Sequence, residues 1–216
     1  MINKKEYQAA CKDYENNWAL LNDTLYGLCR NNPGHSSLSV INAKFYIIGR
    51  TYAAGIERIR RKSDDENADL RDLVKHIYRN RQSVDPILEC LSKIKEPLTS
   101  ESLKTIIVAH GVFLNLLKKG LGGRAPRSFA SKYLHFHCPV VPIFDSIASK
   151  ELSYGQRWNM AFELFAIPKG ADRDYYYRFA MRFWRHYNDA TEKGLEPTAR
   201  LIDNYLLWMA ESRRVG

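Results

Sequence analysis

The stretch "LLKKGLGGRAPRSFASKYLHFHCPVVPIFDS", Leu116–Ser146, carries the reading of the whole chain. It closes a strongly apolar helical pattern that runs from Leu103 to Lys118 through Ile106, Ile107, Val112, Leu114 and Leu117. That pattern stops at Gly120, Gly122 and Gly123, where glycine supplies the positive φ an abrupt reversal needs. A second helix is expected from Ser128 to about Cys138, ended by Pro139 and Pro142. A short third one is expected over Ile143–Leu152. One carboxylate, Asp145, stands in this otherwise apolar and basic segment.

Outward from this stretch the periodicity stays helical. Trp18, Leu21, Leu25 and Leu28 recur at spacings of three and four, predicting one helix from Tyr7 to Leu28. "NNPGHSS" breaks it, and Ser36 or Ser37 can cap a second helix over Leu38–Arg60. The charged break "RRKSDDENAD" precedes shorter helices over Asp69–Arg79 and Val84–Ile94. Thr99 followed by Ser102, or Ser100, can cap the helix that enters the quoted stretch. Tyr154–Phe165, Tyr175–Tyr187 and Pro197–Ser212 complete the set. "PVVPIF" is the one tempting strand, and its prolines argue against it. The fold class predicted is therefore all-α, a multi-helix bundle over residues 1–216 that forms one domain or two closely joined lobes.

The chain has 216 residues, 45% of them apolar, which suits a sizeable core and excludes disorder. Lys plus Arg number 33 against 24 Asp plus Glu, a formal charge of +9. Such a surplus favours a polyanionic partner, nucleic acid or an anionic membrane surface, although a basic protein need have neither. The N-terminus lacks an apolar signal segment, and no window approaches 18 apolar residues. Cys11, Cys29, Cys90 and Cys138 are scattered, which supports neither a disulfide framework nor a structural zinc. No metal, no cofactor, no membrane contact, no obligate protein partner and a cytoplasmic setting are the expectations.

Two readings stand for each half of the quoted stretch. Backbone N–H groups at the turn, with Lys118, Lys119, Arg124 and Arg127, can grip a phosphate without reading base sequence. The same residues also suit an ordinary αα-hairpin with solvated cations. Asp145 follows a proline-bounded loop and is flanked by Ile143, Phe144, Ile147 and Ala148, which suits a carboxylate at the margin of an apolar cavity. It equally suits an N-cap over Ser146–Ala148. The two roles are compatible.

The order of glycine hairpin, basic helix, short loop and "VPIFD" resembles the helix-hairpin-helix superfamily of base-excision DNA glycosylases over Leu103–Ser149. The resemblance implies that Gly120, Gly122 and Gly123 hold a DNA backbone. It implies that Asp145 stabilises the cationic sugar formed as the base leaves, or helps activate the incoming water or amine. The turn "KGLGGRAPRS" differs from the family's tighter leucine-proline-glycine-x-glycine. Bifunctional members place a lysine nucleophile at the start of the next helix. Aligned on the alanine of "SFA", this chain has Ser128 there, with Lys132 one turn further along the same face. The expectation is hydrolysis without a covalent intermediate, with Lys132 as a candidate nucleophile or phosphate contact. The partner implied is double-stranded DNA with a damaged or modified base, in repair or in defence against modified phage DNA.

A glycosylase takes its base out of the duplex, so cations and aromatic surfaces are needed together. Tyr46 and Tyr52 on the second helix, His135, His137 and Trp184 are the pocket candidates, each with core packing as its other reading. "RDYYYRFAMRFWRHY" interleaves Arg173, Arg178, Arg182 and Arg185 with aromatics. His135 and His137 have the neutral-range pKa of an acid–base group but lack further metal-ligand types at a fixed spacing. A non-catalytic helical nucleic-acid binder and a helical protein-interaction module compete with the enzyme. A cavity joining Asp145 to the hairpin separates them.

Overall fold

The computed structural model describes residues 2–52, 70–154 and 164–215. Among them the regular structure is helical, with no strand: α1 (Lys4–Asn17), α2 (Ala19–Asn31), α3 (Leu38–Thr51), α4 (Leu70–Arg79), α5 (Arg81–Ser92), α6 (Ser100–Gly120), α7 (Arg127–His137), α8 (Ser146–Ser153), a π-helical turn (Arg173–Tyr177), α9 (Arg178–Glu192) and α10 (Ala199–Val215). Residues 53–60 of the expected second helix, and most of the helix expected over Tyr154–Phe165, lie outside the described residues. No described helix is long and apolar enough to cross a membrane. All four cysteines are free thiols.

Caps explain several of the boundaries. Ser37 accepts from the Val40 N–H at 3.2 Å and starts α3. Thr99 and Ser102 form a reciprocal capping box at the start of α6. One expectation needs correction: Tyr7–Leu28 is two helices, broken at Trp18. The Trp18 carbonyl accepts both the backbone N–H and the side-chain amide of Asn22. A polar side chain that competes for the helix ladder in this way favours a break. Leu25 is buried as the spacing predicts, whereas Trp18 and Leu21 are exposed.

The centre of the molecule is α7. It packs against α2, α3, α5 and α6, and its residues from Phe129 to Phe136 are all buried. A helix buried on every side is normally apolar. This one carries Ser131, Lys132 and His135, and each is paired. Ser131 Oγ accepts the Phe144 N–H at 2.9 Å. Lys132 reaches Asp145, and His135 Nδ1–H donates to the Val141 carbonyl at 2.8 Å. From the other side, the Tyr176 hydroxyl donates to the Pro142 carbonyl at 2.9 Å. Three polar side chains of one helix thus fasten the proline-bounded loop, and with it Asp145.

Candidate active site

Asp145 is the N-cap of α8, where its Oδ1 accepts from the Ile147 N–H at 2.8 Å. Its Oδ2 is 3.0 Å from Lys132 Nζ. Lys132 is only 4% exposed, and the same nitrogen donates to the Tyr52 carbonyl at 3.1 Å and lies 5.7 Å from the centre of the Tyr52 ring. A cation so deeply buried needs such partners, because an unpaired charge there is costly. The carboxylate is therefore both a helix cap and one half of an ion pair.

The pair opens onto a cavity of about 500 Å³, where α1, α2, α3 and α7 meet α8 and α10. Tyr14, Trp18, Tyr52 and Trp208 supply aromatic wall, and Arg200 and Asp203 supply charge. The volume falls within the roughly 300–1,000 Å³ of small-molecule sites. Arg200 Nη1 donates to Asp203 Oδ2 at 3.1 Å, and its guanidinium lies over the rings of Tyr52 and Phe136 at 5.3 and 5.5 Å. Burial pushes the Asp203 carboxyl up to about 6, against the pull of Arg200 and Lys132.

Of the expected pocket residues, Tyr52, Lys132 and Asp145 meet at this cavity, and four others do not. Tyr46 lies half-buried elsewhere on α3, with Arg50 over its ring. His135 is fully buried behind the wall: its Nε2 accepts from the Tyr26 hydroxyl, which in turn contacts Arg200 Nε at 3.5 Å. Burial and the nearby guanidinium hold the His135 imidazole well below its ordinary pKa, so it fixes Tyr26 and the loop and does not exchange protons near neutrality. His137 lines a different cavity, of about 630 Å³, with Tyr26, Cys29, Phe136 and Pro139. The nearby Asp85 is tied to His35 through both oxygens, at 2.5 Å from Nδ1 and 3.4 Å from the backbone N–H. Trp184 stacks along Tyr187 on α9 against the core. No group of three or more potential metal ligands occurs among the described residues.

The hairpin also differs in detail from its sequence reading. Gly122 and Gly123 have φ of 60° and 98°, as a sharp reversal demands. The Gly123 N–H is spent on the Lys118 carbonyl at 2.9 Å and the Arg124 N–H on Leu121 at 3.4 Å, which removes both donors from any phosphate grip. Gly120 is a packing residue: a Cβ there would lie 2.7 Å from Leu73 Cδ1 and 2.9 Å from His76 Cδ2. Arg127 is clamped by Asp172, with Nε–Oδ2 2.6 Å and Nη2–Oδ1 3.3 Å, under the Tyr175 ring at 3.8 Å. A bidentate, stacked guanidinium of this kind is a structural tie. Lys118, Lys119 and Arg124 are exposed. Lys118 and Lys119 belong to the last turn of α6 and Arg124 to the loop before α7; none of the hairpin residues lines the cavity at Asp145, and Lys118 and Arg127 line a separate small one with Gly170 and Asp172.

If these three cations meet a DNA backbone, neutralising any one should lower the slope of log K against log salt by about one unit without changing base preference. Arg127→Gln should instead lower stability, since it leaves Asp172 without its partner. Binding curves across a salt series, with melting curves alongside, separate the two effects. Unchanged slopes for all three variants would place the contact surface elsewhere.

Sequence reading missed Arg200, Asp203, Tyr14, Trp18 and Trp208. The available signal was Arg200, Asp203, Asn204 and Leu207 at i, i+3, i+4 and i+7, which puts three polar side chains on one helical face. No family model matches the chain, and no curated protein or solved structure matches it either.

Proposed function

We propose that the protein is a DNA glycosylase that hydrolyses the N-glycosidic bond of a damaged or modified base without a covalent intermediate. The observation that carries this reading is the Lys132–Asp145 pair, held at 3.0 Å on the edge of an aromatic-walled cavity. In the reaction the C1′–N bond breaks and its electron pair leaves with the base, which takes up a proton. Positive charge develops on the sugar, and water adds at C1′ and loses a proton. Asp145 Oδ2 is the anion oriented toward that charge; its other oxygen is fixed by the start of α8, so little reorganisation is needed. The aromatic wall receives the extruded base. The exposed cations of the hairpin hold the backbone.

The same geometry favours the hydrolytic route over the covalent one. A lysine nucleophile needs an unencumbered amine lone pair. Lys132 Nζ instead donates to a carbonyl and a carboxylate and lies near an aromatic face. The position at which bifunctional members of the resembled superfamily carry lysine is Ser128 here, and serine cannot form a Schiff base. Borohydride treatment on a cleavable substrate should therefore trap no protein–DNA complex, and strands should break only after hot alkali. Robust trapping in the parent, lost in Lys132→Gln, would contradict the hydrolytic assignment.

A further inference from the structure

The lining of the cavity carries the opposite charge to the chain as a whole. Four carboxylates, Asp13, Asp145, Asp203 and Glu211, stand there against two cations, Lys132 and Arg200, in a protein of formal charge +9. Both cations are deep and already matched: Lys132 is 4% exposed and held by Asp145, and Arg200 is 7% exposed and held by Asp203. Asp13 is half-buried and Glu211 exposed, and neither makes an ion pair among the described residues. The one side-chain bond to Asp13 comes from the neutral Asn17 amide at 2.8 Å. Helices α1 and α10 thus each bring an uncompensated carboxylate to the cavity, where a phosphate group would be repelled. The aromatic wall divides in the same way. Lys132 and Arg200 already lie beside the Tyr52 ring. Trp18, 45% exposed, and Trp208, half-buried, meet no other ring and no cation among the described residues. Indole is the side chain whose face attracts a cation most strongly.

We infer that this cavity selects a flat organic cation, and that the base it takes is one made positive by alkylation of a ring nitrogen. This substrate class rests on the glycosylase reading of the cavity and deepens it. Free indole faces and uncompensated carboxylates both favour positive charge, and a flat ring covers more of an aromatic wall than a round cation does. The four undamaged bases are neutral near pH 7, so the charge itself marks the lesion. The same charge eases the reaction. When the C1′–N bond breaks, its electron pair neutralises the cationic ring, and the proton that a neutral base must take up is then not needed.

Isomers that differ only in charge test this by binding, independent of catalysis. Near neutrality 1-methyladenosine and 3-methylcytidine are cations, whereas N6-methyladenosine and 5-methylcytidine, with the same heavy atoms, are neutral. Each nucleoside, and choline as a cation without a ring, is titrated into the full-length protein and followed by ligand-observed NMR. The cationic isomer of each pair should bind more tightly by about 10–30-fold, the scale of a desolvated cation–π contact, and choline should bind more weakly than either cationic nucleoside. Two variants at accessible positions, where refolding is not at stake, separate the sources. Trp18→Leu should cut the preference by about 3-fold or more through loss of one indole face. Asp13→Asn/Glu211→Gln should reduce it through loss of both uncompensated charges. Equal or undetectable binding of the isomers by the parent, choline binding as tightly as the cationic nucleosides, or a full preference in both variants would overturn the inference. Release of neutral modified bases alone from duplex DNA would overturn it while leaving the glycosylase reading intact. Selective binding of the cationic nucleosides with no base released from any duplex would do the reverse.

Discussion

Asp145→Asn should lower single-turnover base release by about 10²–10³-fold, the scale of one well-placed electrostatic group. Asparagine has nearly the same shape, and its side-chain oxygen can still accept from the Ile147 N–H, so α8 keeps its cap. What is lost is the negative charge at Oδ2 and the ion pair with Lys132. DNA binding should persist, because the exposed cations Lys118, Lys119 and Arg124 are untouched. Near-normal release by this variant would remove Asp145 from the chemistry. Because the buried Lys132 loses its counter-ion, the melting temperature should fall as well, so release is measured at a temperature where the variant is fully folded.

Gly111→Ala should destabilise the fold by about 3 kcal/mol, lowering Tm by roughly 6–12 °C in a chain of this size. The sign runs against helix propensity, since alanine in place of glycine inside a helix ordinarily stabilises by about 0.5–1 kcal/mol. Gly111 lies in the middle of α6, where a Cβ would enter the van der Waals shell of the Gly170 carbonyl oxygen and lie 2.9 Å from its carbon. Backbone cannot rotate away as a side chain can. The same Gly170 loop leads into Asp172, which clamps Arg127 at the start of α7, so the damage should reach the hairpin. Gly27→Ala on α2 is the control: nothing lies within 4 Å of its Cβ, and it should be neutral or stabilising. Equal melting temperatures for the two variants would refute the close approach.

Local signals were read well from sequence because their causes are local. Thr99 and Ser102 form their box across three residues, Gly122 and Gly123 make the turn their lack of Cβ permits, and Pro139 and Pro142 mark the loop after α7. Even the break at Trp18 had a local cause, Asn22, hidden within a good apolar spacing. The site depends on long-range contacts. Arg200 and Asp203 reach Lys132 and Asp145 from the far end of the chain, and the periodicity of α10 gives no hint of its neighbours. Arg127 reads as a surface cation until Asp172, 45 residues later, folds onto it. His135 and His137 are two residues apart, yet one fixes the loop beneath Asp145 and the other lines a separate cavity. A helix buried on all sides presents each neighbour to a different environment.

The measurement that bears most directly on the glycosylase reading is mass spectrometry of the small-molecule fraction after the protein is incubated with duplexes that each carry one modified base. The account predicts a free, intact base from at least one duplex, an alkali-labile site left in its strand, and loss of both products with Asp145→Asn. Tight binding to every duplex with no free base from any of them would contradict it.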